Sequence, residues 1–255
     1  MKLYGKRSVT ERIRINPGSV RKLYLQKKTD LSGIVKEAKN AGLSFESVDK
    51  ETLLGKCGEA HTQGVMAEVD EYAYTAYAEI LKDCVNNAAV PVFLDGITDP
   101  QNLGSIIRNL ACLGGFALVL AEHGSAQVTE AVLRVASGGE NYIRIARVPN
   151  IATAVTAAGK KGIRSAGAVV EDGTDISGTV LEYPLALVIG AEDTGIRPGV
   201  RKLLDYRVTL PMKGAALSFN AAVAASLFCY EITRRRFILA HGTGEGLGES
   251  KKADS

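Results

Sequence analysis

The sequence predicts an α/β protein in which a small N-terminal α/β domain precedes a larger domain built on a parallel sheet. Two patterns support this fold class. After residue 78, apolar runs of strand length alternate with segments of helical periodicity, as expected where helices connect parallel strands. Before residue 70, shorter strand and helix patterns form a separate block. The length of 255 residues accommodates one large domain or two modest ones.

The first block, residues 1–70, has the alternation of a small α/β domain. We expect strands at Lys22–Leu25 and Gly64–Val69. We expect a helix at Leu31–Ala41, where apolar residues recur at helical spacing. Residues 71–77 show no clear period and are predicted to form a linker.

The connection after the first block is rich in tyrosine. Tyr72, Tyr74 and Tyr77 have two interpretations. Aromatic rings can stack on the bases of a nucleic acid, or they can pack on a neighbouring domain. We favour packing, which is the commoner role of tyrosines in such a connection.

The second block, residues 78–240, has the pattern of a parallel sheet covered by helices on both faces. The expected strands are Val90–Leu94, Phe116–Leu120, Ala166–Val170 and Leu185–Ile189, and the expected helices are Asn102–Leu113, Val128–Ala136, Ile151–Ala158 and Ser218–Leu239. Residues 241–255 are rich in glycine and polar side chains and are predicted to form a disordered tail.

Basic residues are concentrated at two places, although the net charge is only +3. Over the first 28 positions the only acid is Glu11, and the basic residues are Lys2, Lys6, Arg7, Arg12, Arg14, Arg21, Lys22, Lys27 and Lys28. Arg234-Arg235-Arg236 forms a second cluster. A local excess of this kind attracts polyanions, but it can also be a solvated face that keeps the protein soluble. Charge alone leaves both interpretations open.

The sequence predicts no membrane span, no secretory signal and no metal site. No apolar run reaches about 18 residues free of charge, and Met1 leads into a polar, basic stretch. Cys57, Cys84, Cys112 and Cys229 are scattered and lack ligand spacing to the histidines. We therefore expect reduced thiols, a cytoplasmic location and no bound metal.

Several catalytic signatures are absent from the sequence. The patterns G-x-x-x-x-G-K-[ST], H-E-x-x-H and G-x-S-x-G do not occur, so triphosphate hydrolysis, zinc-peptidase and serine-hydrolase activities lack support. The alternating glycines between Gly242 and Gly248 superficially resemble a dinucleotide-binding loop. No strand–loop–helix unit surrounds them, which argues against that assignment.

The first informative segment, Phe93–Arg108, joins a strand to a helix through a loop of turn residues. The helix is expected to begin near Asn102. Free N–H groups at a helix N-terminus favour an anion such as phosphate, and the planar fork of Arg108 suits the same group. The alternative is that Asn102 only caps the helix and Arg108 is only solvated.

The second segment, Leu185–Pro198, is an apolar strand that ends at Gly190 and is followed closely by Glu192. In open α/β sheets, ligands bind beyond the carboxyl ends of the strands. The missing side chain of Gly190 would let a ligand approach the backbone. On local pattern alone, an ordinary strand-to-helix turn explains the segment equally well.

The third segment, Val208–Tyr230, contains a short strand, an irregular loop and an Ala-rich helix. The strand is expected to end at Leu210, and Met212 lies in the loop. Ser218 is expected to cap the helix. Asn220 is a polar residue at the start of an otherwise apolar stretch. The alternative is that the small residues of the helix only allow tight core packing.

These three segments, in this order, resemble the signature motifs of the SpoU branch of the SPOUT RNA methyltransferases. The matching residues are Asn102-Leu103-Gly104 with Arg108, Gly190-Ala191-Glu192 with Gly195-Ile196-Arg197, and Leu210-Pro211-Met212 with Ser218-Phe219-Asn220. Phe219 stands where the family usually has leucine. The resemblance covers roughly residues 90–236, and three spaced motifs together are far more specific than any one of them.

The first block adds to this resemblance. Tyr4-Gly5 and His61-Thr62-Gln63-Gly64-Val65 are similar to the small substrate-binding domain of many SpoU enzymes, which has a ribosomal-protein-like RNA-binding fold. The combination looks most like the members that methylate a guanosine in 23S ribosomal RNA. The resemblance thus implies an RNA-binding domain ahead of a methyltransferase domain.

The resemblance also implies a cofactor and an assembly. SPOUT domains carry a deep trefoil knot near the C-terminus, bind S-adenosylmethionine in the knot, and work as homodimers that share the catalytic pocket. By this resemblance the cofactor lies against Gly190, Leu210, Met212, Ser218 and Phe219.

The implied catalytic residues are Arg108, Asn102, Glu192, Ser218 and Asn220. The family assigns proton removal to the arginine, but a side chain with a pKa above about 12 is a poor base. We therefore expect Arg108 to position the target phosphate and ribose hydroxyl, with the phosphate or Glu192 accepting the proton. Asn102 and Asn220 would orient RNA and catalytic side chains, and Glu192 would anchor Arg108 or the catalytic loop.

Three alternatives remain at this stage. Within the same class, the substrate is tRNA instead of ribosomal RNA. A non-catalytic RNA-binding factor of ribosome assembly is a second alternative, although a scaffold would not need the five polar motif residues together. A nicotinamide-dependent oxidoreductase is a third, and the missing dinucleotide-binding pattern argues against it.

Overall fold

The computed structural model describes residues 1–58, 62–86, 89–214 and 217–241. In the first part, the elements are β1 (Lys2–Tyr4), α1 (Lys6–Ile15), β2 (Val20–Gln26), α2 (Ser32–Asn40), β3 (Glu46–Val48), α3 (Lys50–Cys57) and β4 (Val65–Val69). The four strands form one sheet in the order β1-β4-β2-β3. β4 pairs antiparallel with both β1 and β2, whereas β2 and β3 are parallel.

The second part forms a separate sheet. Its elements are α4 (Tyr77–Val85), β5 (Val90–Asp95), α5 (Pro100–Leu113), β6 (Phe116–Ala121), α6 (Glu130–Ala136), β7 (Arg144–Val148), α7 (Ile151–Gly159), β8 (Arg164–Ala168), β9 (Thr174–Asp175), β10 (Leu185–Gly190), α8 (Pro198–Arg201), β11 (Tyr206–Thr209) and α9 (Ala221–His241). The strand order is β7-β6-β5-β10-β8-β11-β9. All neighbouring strands in this sheet are parallel, which confirms the predicted fold class.

Helices cover both faces of the larger sheet. The cluster of buried side chains on one face includes Ile80 of α4, Val155 of α7 and Val200 of α8. The cluster on the other face includes residues of α5, α6 and α9, and it continues into the apolar residues of the N-terminal sheet. Every residue of β5 and of β6 is buried, which explains the continuous apolar runs of these strands.

A buried ion pair joins α1 of the N-terminal part to the turn that follows α6. Arg12 of α1 donates to Glu140 at 3.0 Å, and both residues are 4% exposed. Burial raises the pKa of Glu140 above its usual range. Beside this pair, the Tyr142 hydroxyl donates to Glu11 at 2.5 Å. These contacts fix α1 against the turn that follows α6.

The tyrosines of the connection pack as predicted. Tyr72 and Tyr74 form an edge-to-face pair with ring centroids 5.1 Å apart, and Arg147 lies 4.2 Å above the Tyr74 ring. The Tyr77 hydroxyl donates to the carbonyl oxygen of Ala154 at 2.7 Å. Tyr77, the last residue of the predicted linker, is already the first residue of α4.

Several predicted boundaries were wrong, each for a local reason. α5 begins at Pro100, two residues before Asn102, because Asp99 caps it by accepting from Gln101 N. The strand predicted at Ala166–Val170 lies at Arg164–Ala168. Apart from the C-terminal helix, the other predicted elements lie within two residues of observed ones.

The long C-terminal helix differs from its prediction at both ends. It begins at Ala221, so Ser218 lies in the preceding loop and does not cap it. It ends at His241, the first residue of the predicted tail, and residues 242–255 lie outside the described residues. No described helix is both long enough and apolar enough to cross a membrane.

Most of the basic residues near the N-terminus have acidic partners from later positions. Arg12, Arg14, Arg21, Lys22 and Lys27 pair with Glu140, Glu37, Asp70, Glu68 and Asp49 respectively. In the second cluster, Arg234 and Arg235 both pair with Glu231. Much of the apparent local charge is therefore neutralised by the fold.

Candidate active site

A cavity of about 450 Å³ opens at the carboxyl ends of β8, β10 and β11 and at the start of α9. Its lining includes Val170, Glu171, Ile189, Gly190, Ala191, Glu192, Asp193, Thr194, Gly195, Ile196, Arg201, Leu210, Met212, Ser218, Phe219 and Phe228. The five residues predicted to contact a cofactor, Gly190, Leu210, Met212, Ser218 and Phe219, are all among them. Ligands of open α/β sheets bind at this end of the strands.

Position 190 must be a glycine, because backbone atoms of the same chain fill the space that a side chain would need. A β-carbon at Gly190 would lie 2.2 Å from the carbonyl carbon of Gly195 and 2.3 Å from the nitrogen of Ile196. The backbone following β10 therefore folds back onto the strand end, and an isolated bridge joins Ala191 to Gly195. The chain's own backbone thus fills the Cβ side of Gly190, while Gly190 still lines the cavity, and its contact with a cofactor stays a prediction.

Glu192 brings the three sequence segments together beside the cavity. Its Oε1 accepts from Asn102 Nδ2 at 3.1 Å, from Asn220 Nδ2, and from the backbone nitrogen of Ala221 at 2.9 Å. Asn220 Nδ2 also donates to Asn102 Oδ1 at 2.9 Å. Among the described residues, the Oε2 atom of Glu192 has no hydrogen-bond donor, so it is an available acceptor.

Asn220 has a second role as the cap of α9. Its Oδ1 accepts from the backbone nitrogens of Ala222 at 3.0 Å and Val223 at 3.3 Å. Capping of this kind stabilises the start of a helix, and it fixes the direction of the Asn220 amide toward Glu192. Ser218, which sequence reasoning assigned to the cap, is exposed and lines the cavity.

Asp95 holds a loop of the site, although the motifs in the sequence do not include it. Its carboxylate is completely buried at the end of β5, beside Gly190 in the parallel register. It accepts from Arg197 N at 2.8 Å and from Arg197 Nε at 2.7 Å. Asp95 thereby holds the loop that follows Glu192. An acid that directly ends a wholly apolar strand could have indicated this role.

Arg108 is separate from the cavity of its own chain. It lies six residues after Asn102 on α5 and is exposed, and at 3.6 residues per turn the two side chains point in directions about 120° apart. Within the described residues it has no ion pair with Glu192. Glu192 therefore anchors the asparagines of the loop and helix ends, which is one of the two roles predicted for it.

The lining of the cavity fits S-adenosylmethionine. Apolar side chains such as Ile189, Leu210 and Phe228 can contact an adenosine group, and backbone groups of the surrounding loops can bind its polar edge. The charged lining residues are three carboxylates, of Glu171, Glu192 and Asp193, and one guanidinium, of Arg201. The excess of acidic groups suits the positive sulfonium and ammonium groups of that cofactor. Among the described residues, no cluster of metal-binding side chains is present.

Comparison with known proteins agrees with this geometry. The profile of the SpoU rRNA Methylase family matches residues 89–230, and a profile described as RNA 2'-O ribose methyltransferase substrate binding matches residues 2–75. The chain therefore belongs to the SpoU rRNA methylase family. As a SpoU methylase, it is an RNA methyltransferase with a substrate-binding region ahead of its catalytic part.

Relatives support the same assignment over nearly the whole SpoU methylase chain. A Staphylococcus epidermidis protein, whose name places it among TrmH family tRNA/rRNA methyltransferases, is 32% identical over 239 residues, covering 92% of this chain and 95% of the relative. A Staphylococcus haemolyticus protein of the same description is 30% identical with the same coverage. The solved SpoU methyltransferase AviRb from Streptomyces viridochromogenes, in complex with AdoMet, is 28% identical with a TM-score of 0.75, covering 93% and 90% of the two chains.

The glycine of the first SpoU motif has a packing role in this structure. A β-carbon at Gly104 would lie 2.5 Å from the Cβ of Val135 and 2.9 Å from the carbonyl oxygen of Val132. α5 and α6 therefore approach closely at this point. Leu103, its neighbour in the motif, is fully buried, so the motif combines packing residues with the site residue Asn102.

Proposed function

We propose that this RNA methyltransferase uses S-adenosylmethionine to methylate the 2′-hydroxyl of a guanosine ribose in large-subunit (23S) ribosomal RNA. The observation that carries the proposal is the hydrogen-bonded set of Asn102, Glu192 and Asn220 beside an acidic, partly apolar cavity. A purely scaffolding protein would not need these polar groups joined at the mouth of a cofactor-sized cavity. The match of residues 2–75 to a 2'-O ribose methyltransferase substrate-binding profile supports the ribose as the target.

The cavity residues would hold the cofactor. Leu210, Met212 and Phe219 would contact its adenosine, and Glu171 would face its positively charged end. When bound, S-adenosylmethionine supplies a methyl carbon already activated toward a nucleophile. The chain must therefore align the attacking ribose oxygen and help to remove its proton.

Glu192 and Arg108 have different roles in aligning the ribose oxygen and removing its proton. Glu192 Oε1 is occupied by three donors, so its Oε2 is the atom available to the ribose hydroxyl. Arg108 would bind the adjacent RNA phosphate through its planar fork. The proton then passes to that phosphate or to Glu192.

A homodimer would bring Arg108 of the partner subunit close to Glu192. Because Arg108 lies outside the cavity of its own chain, we assign it to the site of the second copy, where Arg108 of the partner subunit would meet the target phosphate. Val223, Leu227 and Tyr230 form an exposed stripe on α9, at 45%, 38% and 52% exposure. Their helical spacing gives one face for a second copy. The trefoil knot and the cytoplasmic location remain predictions of the sequence.

The function is tested by incubating the purified protein with radiolabelled S-adenosylmethionine and, separately, unmodified large-subunit rRNA, small-subunit rRNA and tRNA transcripts. Label in an alkali-resistant dinucleotide of the large-subunit transcript is the expected result. Label in tRNA alone would replace the proposed substrate by tRNA. Cofactor binding without label in any transcript, repeated with ribosomal particles, would contradict the proposal.

The dimer is tested separately by sedimentation. Leu227→Glu places a charge on the exposed α9 stripe and is expected to give monomers that bind S-adenosylmethionine but do not transfer methyl groups. A Leu227→Glu monomer with full turnover would contradict the shared site, and a Leu227→Glu protein that stays dimeric would contradict the α9 stripe as the interface.

A further inference from the structure

A second cavity, of about 570 Å³, lies in the N-terminal part and shares no residue with the site described above. Lys6, Gln26, Thr29, Lys50, Leu54 and Gln63 contribute to its wall. They come from the start of α1, the end of β2, the first turns of α3 and the turn before β4. Its size lies in the range of sites that bind small molecules.

The polar side chains around this second cavity are largely unused by the fold. Within the described residues, Gln26 and Lys50 make no side-chain hydrogen bond or ion pair. Lys6 Nζ donates to the carbonyl oxygen of Asp30 at 3.0 Å, and an ammonium group has three donors. Gln63 Oε1 accepts from Lys6 N at 2.8 Å, which leaves the Gln63 amide NH₂ available. By contrast, Arg21 in the same sheet is held by Asp70 at 2.6 Å.

These groups match the chemistry of a nucleotide. A side-chain amide offers a donor and an acceptor side by side, which is the pattern that reads the edge of a base. The ammonium of Lys50 suits a phosphate, and the apolar Leu54 offers a surface for the face of a base. Proteins read RNA sequence mainly at unpaired nucleotides, because the deep groove of an RNA helix is closed to side chains.

The second cavity is connected to the catalytic part through α1. Lys6 begins this helix, and the carbonyl oxygen of the next residue, Arg7, would lie 3.8 Å from a β-carbon at Gly138. The following residue, Gly139, packs against the backbone of Arg108. α1 and the Gly138–Gly139 turn therefore link the second cavity to the helix that carries Arg108.

We propose that the second cavity binds one unpaired nucleotide of the RNA substrate. Gln26 and Gln63 contact the base edge, and Lys6 and Lys50 contact the backbone phosphates. The inference rests on the proposed function, because it names the feature by which the methyltransferase selects its RNA. That feature is a bulged or looped-out nucleotide at a fixed distance from the target ribose.

The test measures RNA binding by the full-length protein in a fluorescence anisotropy titration. The probes are a fully paired hairpin and four hairpins that differ from it by one bulged nucleotide, one for each base. We expect the wild type to bind at least one bulged hairpin about tenfold more tightly than the paired hairpin. Gln26→Ala and Lys50→Glu should remove most of that difference. The control Lys39→Glu changes charge equally in the same domain outside the second cavity, and it should retain the difference.

Equal affinity of the wild type for all five hairpins would overturn the proposal. So would a bulge preference that Gln26→Ala and Lys50→Glu both retain while their thermal melting matches the wild type. The readout needs no methyl transfer, so the failure of this proposal and the failure of the proposed function can be distinguished. A bulge preference that depends on Gln26, found together with no methylation of any RNA, would keep the second cavity as a nucleotide site and reject the proposed function.

Discussion

Gly139 lies directly against Arg108: a β-carbon at Gly139 would be 3.0 Å from the Cα of Arg108 and 3.4 Å from the Cβ of Ala111. The next residue, Glu140, forms the buried ion pair with Arg12 of α1. One short turn therefore anchors the N-terminal part and supports the helix that carries Arg108. This turn therefore links the N-terminal part, which we expect to bind RNA, to the helix that carries Arg108.

Gly139→Ala tests whether the position of Arg108 sets the rate. The added methyl group would lie 3.0 Å from the Cα of Arg108, so α5 and the Gly139 turn must separate by a few tenths of an ångström. Small displacements of a positioning group lower rates steeply. We expect kcat to fall about tenfold or more, whereas the affinity for S-adenosylmethionine stays unchanged because the cofactor cavity is elsewhere. Steady-state methylation and isothermal calorimetry measure the two effects.

Gly159→Ala is the matched control, because no atom lies within 4 Å of a β-carbon at Gly159. It should leave kcat unchanged. A Gly139→Ala protein with wild-type turnover would mean that Arg108 tolerates displacement and is not a positioned group.

Glu192→Gln separates the structural and chemical roles of Glu192. The glutamine can keep an oxygen toward Asn102, Asn220 and the backbone of Ala221, so the folded loop should persist. It lacks the second carboxylate oxygen that is available to the ribose hydroxyl. We expect turnover at saturating RNA to fall by about 10²-fold or more, with little change in melting temperature.

The control for this substitution is Glu79→Gln, an exposed position in the first turn of α4. It removes the same charge away from the site and should retain full turnover. If Glu192→Gln also retains full turnover, the phosphate alone accepts the proton, and Glu192 serves only to organise the asparagines.

The sequence predicted the sheet and its helices because their causes are local. Strands such as β5 and β6 are buried on both faces, so the chain shows them as continuous apolar runs. Helix ends were less predictable. Asp99 and Asn220 cap α5 and α9 through side-chain hydrogen bonds, and several nearby polar residues could have done the same.

The sequence predicted which residues form the site, but it did not predict the hydrogen bonds between them. The motifs identified Asn102, Glu192 and Asn220. The fold joins Asn102 by hydrogen bonds to the other two, which lie 90 and 118 residues later in the chain. No local pattern indicates which oxygen meets which amide. The partners of Asp95 and of Arg12 were also missed, because each lies more than 100 residues away in the chain. Residue spacing contains no information about such long-range pairs.

Asp95→Asn tests the buried carboxylate that holds the loop after β10. Asp95 is 0% exposed and receives two hydrogen bonds from Arg197. The substitution removes the charge and places an amide group in the same space. Because hydrogen bonds to charged groups are the stronger ones, we expect the free energy of unfolding to fall by about 2 kcal/mol. The affinity for S-adenosylmethionine should also fall, since Gly195 and Ile196 line the cavity.

Asp172→Asn provides the comparison, because Asp172 pairs with Arg201 at 3.2 Å on the exposed surface. Its loss should cost less than about 1 kcal/mol. Urea unfolding of both variants measures the difference. Equal stability losses for the two substitutions would contradict the role assigned to burial at Asp95.

Glu231→Gln tests the ion pairs that give the second basic cluster its structure. Glu231 accepts from Arg234 at 2.8 Å and from Arg235 at 2.7 Å. The hydrogen bond from Arg234 is the largest cause that lowers the pKa of Glu231 from 4.5 to about 2. A pKa lowered by folding stabilises the native state at pH values above the unfolded pKa. We expect Glu231→Gln to lower the free energy of unfolding by about 1 kcal/mol at neutral pH, because the pairs are partly exposed.

The pH dependence of the stability difference distinguishes the effect of the ionised Glu231 carboxylate from that of side-chain packing. As the pH falls below 4.5 toward 2, the wild-type carboxylate becomes protonated in the native state as well as in the unfolded state. The stability difference between wild type and Glu231→Gln should therefore shrink over that interval, and it should stay constant between about pH 6 and pH 8. Urea unfolding at several pH values measures both ranges. A difference that persists unchanged to about pH 3 would mean that side-chain packing, and not the ionised carboxylate, stabilises this part of α9.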